Sequence, residues 1–143
     1  MVSYVGSETN PNLPLECPIK VNIIDENIYS QIKDLKEHFD YVILYLHWGE
    51  EELVRVPSLA QKQLARKLID AGASVVVGSH VHCLQGWEEW NGGIILYSLG
   101  NFMFGPQLVV PGKIDSSRSS DNRNVAVATI ELNSGQVSLK WDY

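Results

Sequence analysis

The chain has 143 residues, 45% of them hydrophobic and 20% charged, the size and balance of one soluble globular domain. Its net charge of −6, with no Lys/Arg cluster, excludes duplex nucleic acid, whose counterions only a basic face displaces. No apolar run reaches the roughly 18 residues of a membrane span, and "MVSYVGSETN" lacks the basic and apolar regions of a signal peptide, so the chain reads as soluble and untargeted.

In chain order, "MVSYVG" predicts a short strand and "SETNPNLPLECP" a polar, proline-broken loop. "KVNII" is a brief extended piece. Asp25 is placed to cap a helix through "ENIYSQIKDLKEHF", where Ile28, Ile32, Leu35 and Phe39 keep helical spacing. The run Tyr41 to Leu46 in "DYVILYLHWGEE" suits a strand covered on both faces. Pro57 is expected as the first residue of the next helix. In that helix Ala60, Leu64, Ala65, Leu68 and Ile69 form the apolar stripe, and Gln61, Lys62, Arg66 and Lys67 the solvated side. Gly72 ends it, and the chain passes into "ASVVVGSH". Strand, helix, strand in this order is a βαβ unit with parallel strands.

The second half changes character. "LQGWEEW" and "IILYSLGNF" read as a hairpin around Asn91-Gly92-Gly93. "PGKIDSSRSSDNRN" reads as a mobile polar loop, and "VAVATIEL" pairs with "QVSLKWDY" around Asn133-Ser134-Gly135. The expected fold is α/β: a βαβαβ unit followed by antiparallel hairpins, in a single domain.

The chemistry gathers at strand ends. His47 follows "YVILYL" and His80 follows "SVVVGS", and open parallel sheets bind ligands beyond the carboxyl ends of their strands. In an extended segment, residues two apart share a side, which places His82 beside His80. Imidazole suits zinc, iron, nickel or copper, and a neighbouring carboxylate admits manganese. An HxH pair also occurs as strand-end histidines that satisfy loop backbone. His47 at a second strand end tips the reading toward metal. Cys83 is either a further ligand or a small buried hydrophobe, and with Cys17 it forms no disulfide framework or CxxC zinc site. His38 reads as a solvated helix-end residue. Among Glu50, Glu51 and Glu52, a solvated acidic turn competes with one carboxylate that orients an imidazole or meets substrate. Asn101 is either a turn residue or a contact to ligand or substrate. Trp48, Trp87 and Trp90 read as core or rim packing.

With these residues in view, the chain resembles the CapA-like capsule-synthesis family linked to poly-γ-glutamate, within the calcineurin-like metallophosphoesterase superfamily. "YVILYLHWGEE", "LIDAGASVVVGSHVHCLQGWE" and "IILYSLGNFMF" carry the resemblance, which runs over residues 21–105. It implies an α/β/β/α sandwich with a two-metal centre, filled by Mn, Zn or Fe. His47 and His80 would serve one metal and His82 the other. Glu51 takes the acidic position of the family's HWG-x-E signature, and Asn101 matches the asparagine of "SLGNF"; these two are the candidate substrate contacts. The implied chemistry is metal-assisted attack of hydroxide on phosphorus.

The superfamily's bridging aspartate and first Asp/His ligands belong to an N-terminal half that this sequence does not match; Asp25 and Asp40 do not sit in those motifs. The expectation is therefore the C-terminal half of the sandwich, with an incomplete metal site. Its uncovered apolar faces would pair in a homo-oligomer or against a separate N-terminal half. Two functions follow: a hydrolase completed by ligands from another chain, or a non-catalytic assembly or binding component. Family members often act at the cell envelope, for which this sequence carries no address.

Overall fold

In a computed structural model, residues 2–5, 22–49, 55–102, 107–110, 113–115 and 124–142 are described. The chain forms β1 (Val2–Val5), β2 (Asn22–Ile23), α1 (Ile28–His38), β3 (Ile43–Trp48), α2 (Leu59–Asp70) and β4 (Val75–His80). It continues through β5 (Trp87–Trp90), β6 (Gly93–Leu96), β7 (Gln107–Val110), β8 (Lys113–Asp115), β9 (Val127–Asn133) and β10 (Gln136–Asp142). The central sheet runs β2-β1-β3-β4-β6-β5. Its first five strands are parallel, and β5 closes the edge antiparallel to β6. This mixed α/β architecture, a parallel sheet followed by antiparallel hairpins, is the one expected.

Period-two alternation sorts the sheet's side chains into two layers. Leu44, Leu46 and Trp48 of β3, Val76 of β4, and Ile95 and Tyr97 of the β6 segment pack with Ile28 and Ile32 of α1 and with Ala65, Leu68 and Ile69 of α2. On the opposite face Val75, Ile94 and Leu96 meet Ala128, Ile130, Val137, Leu139 and Trp141 of the β9–β10 hairpin. Helices thus cover one side and a hairpin the other, giving three layers.

Several local expectations are corrected. Asp25 is not the cap of α1: the N-cap is Asn27, without a side-chain cap bond, and Asp25 Oδ1 accepts from the Asn27 amide (2.9 Å). The helix starts two residues later because Asp25 spends its carboxylate on a turn. Pro57 precedes α2 instead of opening it. Ser58 is the N-cap, its hydroxyl accepting from the Gln61 amide (3.1 Å), while Gln61 Oε1 accepts from the Ser58 amide (2.9 Å). This capping box folds Gln61 inward, so it is buried rather than solvated, and Ala60 is exposed instead of joining the apolar stripe.

Helix α2 stops as expected at Gly72. The Gly72 amide bonds the Ile69 carbonyl and the Ala73 amide that of Leu68, a Schellman closure. Strand β3 is shifted toward its carboxyl end and includes His47 and Trp48. Both two-residue turns hold positive φ, at Asn91-Gly92 and Ser134-Gly135, as type I′ hairpins require. The segment read as a polar loop contains β8, which pairs with β7. At three residues, Lys113-Ile114-Asp115, β8 is too short for a periodic signal to mark it.

Candidate functional site

The carboxyl ends of β3, β4 and β6 lie side by side because the three strands are parallel neighbours: His47 stands opposite Ser79, and Trp48 opposite His80. The Ser79 hydroxyl donates to the Leu46 carbonyl (3.0 Å), tying the two tips together. Behind them, the Trp48 indole N–H donates to the Tyr97 carbonyl (3.0 Å). Only glycine allows that approach at position 78, where a Cβ would run into both the Tyr97 carbonyl oxygen and the Trp48 indole nitrogen.

On this platform the imidazoles of His47 and His80 have ring centroids 4.3 Å apart, and those of His80 and His82 are 6.1 Å apart. The expected meeting of strand-end histidines is therefore present. The route to it differs from the one the spacing suggested. His80 and His82 are not two alternating residues of one extended strand: both have positive φ, 98° and 56°. The chain bends sharply after β4, burying Val81 and Cys83 and leaving His80 and His82 half-exposed. Left-handed backbone in residues with a Cβ costs about 1–3 kcal/mol each, and such strain persists only where surrounding contacts hold it.

Asn101 supplies one such contact. It follows β6 by way of two isolated bridges, Leu84 with Leu99 and Gly100 with Val125, which bring it beside the bend. Its Oδ1 lies 2.7 Å from His82 Nδ1, and its Nδ2 donates to the His82 carbonyl (3.1 Å). Residue types alone did not single out this pairing; the nearest signal was an asparagine directly after Gly100.

The other candidates fall as follows. Glu51 lies outside the described residues. Cys83 is buried, and His38 is exposed at the end of α1 with Nδ1 2.8 Å from the Asp34 carbonyl. Trp48 is core, whereas Trp87 is rim and meets Trp141 at 6.1 Å. Away from the histidines, Arg66 binds Glu88 through two bonds (2.9 and 2.8 Å) and lies over Trp90, while the Tyr97 hydroxyl donates to Glu88 (2.7 Å). The Arg66 bonds hold the Glu88 carboxyl below its usual range, and burial pushes the Tyr97 phenol up. This network fastens α2 to the β5–β6 edge.

The donor set bears on a metal directly. Among the described residues, no three His, Cys, Asp or Glu side chains gather closely enough to hold an ion. Two imidazoles at contact distance and a third beyond them fit part of a metal centre, and they do not complete one.

Comparison with known proteins agrees with the fold and its motifs. The model of the bacterial capsule synthesis protein PGA_cap matches residues 5–106. The chain belongs to this family. It is 48% identical over 103 residues to the PGA biosynthesis protein CapA of Bacillus subtilis (strain 168), covering 72% of this chain and 26% of that protein. It is 47% identical over 76 residues to the capsule biosynthesis protein CapA of Bacillus anthracis, covering 52% of this chain and 18% of that protein. The PGA_cap chain thus spans about a quarter or less of the length of these curated relatives. No described helix is long and apolar enough to cross a membrane.

Proposed function

We propose that this chain serves poly-γ-glutamate capsule synthesis by contributing His47, His80 and His82 to a divalent-metal centre of the phosphoesterase type. The observation that carries the reading is the approach of the His47 and His80 rings to 4.3 Å at the ends of adjacent parallel strands, where open α/β sheets place their ligands. A divalent ion in such a site supplies positive charge to a phosphoryl oxygen. Groups from a second copy of the chain or from an N-terminal half of the domain complete the donor set. Asn101 is the proposed substrate contact among the described residues, and Glu51 is proposed as a second from its place in the HWG-x-E motif.

Equilibrium dialysis against Mn²⁺ and Zn²⁺, followed by a generic phosphodiesterase assay, tests this reading. Bound metal that is lost in His80→Ala, with turnover lost alongside, is the expected result. No metal in the unaltered chain, alone or mixed with an N-terminal half, would refute it. A non-catalytic assembly role is the second reading, favoured by the absence of a three-donor group among the described residues. It predicts no turnover under any pairing, with association still visible by sedimentation.

A further inference from the structure

We infer that Asn101 is a positioning residue that clamps the His82 ring as the Nδ1–H tautomer, leaving Nε2 as its lone-pair nitrogen. The assignment follows from donors and acceptors. The His82 carbonyl can only accept, so the Asn101 atom 3.1 Å from it is the amide nitrogen. The other end of the same amide, 2.7 Å from His82 Nδ1, is then the carbonyl oxygen. An oxygen that can only accept requires the proton to sit on Nδ1. Which nitrogen of a histidine is available to a ligand is set by the bond the other nitrogen makes.

The clamp is built, not incidental. Asn101 grips both the ring and the main chain of a residue whose backbone is left-handed, so it stabilises the bend and orients the imidazole together. Its own position depends on the bridge from Gly100 to Val125, at the entrance to β9. Gly100 has φ +76°, and a Cβ there would strike the Asn124 carbonyl oxygen. The segment that leads into the hairpin thus pairs with the residue next to Asn101, which holds His82. This inference borrows from the proposed function only the importance of His82; the tautomer stands on geometry alone.

Nitrogen-15 NMR of the histidine-labelled full chain, in mildly alkaline buffer with a chelator, decides the matter. In the unaltered protein His82 Nδ1 is expected to show the pyrrole-like, protonated shift and Nε2 the pyridine-like shift. In Asn101→Ala the two shifts exchange, because free neutral imidazole prefers the proton on Nε2. Asn101→Asp, which keeps an acceptor oxygen, restores the original pattern. A protonated Nε2 in the unaltered chain overturns the inference whether or not any variant folds, and so does an unchanged pattern in a folded Asn101→Ala. If metal binds, its affinity falls about 10- to 100-fold in Asn101→Ala, the usual loss when a ligand's orienting partner is removed. An unaltered chain that binds no metal yet keeps the Nδ1–H pattern refutes the metal reading and leaves this one standing.

Discussion

On the helix-covered face of the central sheet, Leu44, Leu46, Val76 and Ile95 are wholly enclosed between strands and two amphipathic helices. On the hairpin-covered face, among the described residues, Val75, Ile94 and Leu96 reach that state, and their partners Ala128, Ile130, Val137, Leu139 and Trp141 are half-buried. Alternation along β3 puts His47 on the second face, in step with Ile43 and Tyr45. The same face sends Val125 to Gly100, beside Asn101. The difference teaches a division of labour: the dense face carries stability, and the sparser face carries His47.

The largest expected effect tests that division. Leu44→Ala, which opens a cavity in the dense face, is expected to cost about 2–5 kcal/mol. Leu139→Ala, from a side chain that already keeps part of its surface in water, is expected to cost about 1 kcal/mol. Urea denaturation of the two variants measures both, and equal losses would break the comparison. Gly100→Ala should fall between them, at about 1–3 kcal/mol, because it forces a Cβ into left-handed backbone. Its distinctive signature is local. Hydrogen exchange of the Ala126 amide, bonded to the Leu99 carbonyl (3.1 Å), should quicken while amides of β4 stay protected. The His82 nitrogen shifts should exchange as in Asn101→Ala.

The smallest effect belongs to the helix side and depends on pH. The Arg66 bonds lower the Glu88 carboxyl in the folded chain. A depressed folded pKa contributes stability above the ordinary carboxylate range, lost as pH falls through the folded value. The chain should thus exceed Glu88→Gln in melting temperature at neutral pH, with the gap closing on acidification. A gap that persists in acid would show that Glu88 acts through packing rather than charge.

Much of the fold was legible because its signals are local. The apolar run of β3, the stripe of Leu64, Leu68 and Ile69, the stop at Gly72 and the two positive-φ turns each follow from the conformational preferences of neighbouring residues. The convergence of His47 and His80 was legible as well, since parallel strands bring their carboxyl ends together. The inward turn of Gln61 was not, because it rests on a reciprocal bond with Ser58 that competes with a solvated face. Strand β8 was hidden by its length, three residues at the head of a polar, serine-rich segment.

The sequence by itself determined the parallel βαβ frame and the placement of two imidazoles at adjoining strand tips, which depend on periodicity and short spacing, while its three motifs carried the resemblance to the family. Only the tertiary structure decided how His82 reaches them, through left-handed backbone held by an asparagine 19 residues away. The physical reason is that a strained φ has no local preference to announce it. It exists because distant contacts offset its cost, and those contacts form only when the sheet and its covering hairpin have assembled.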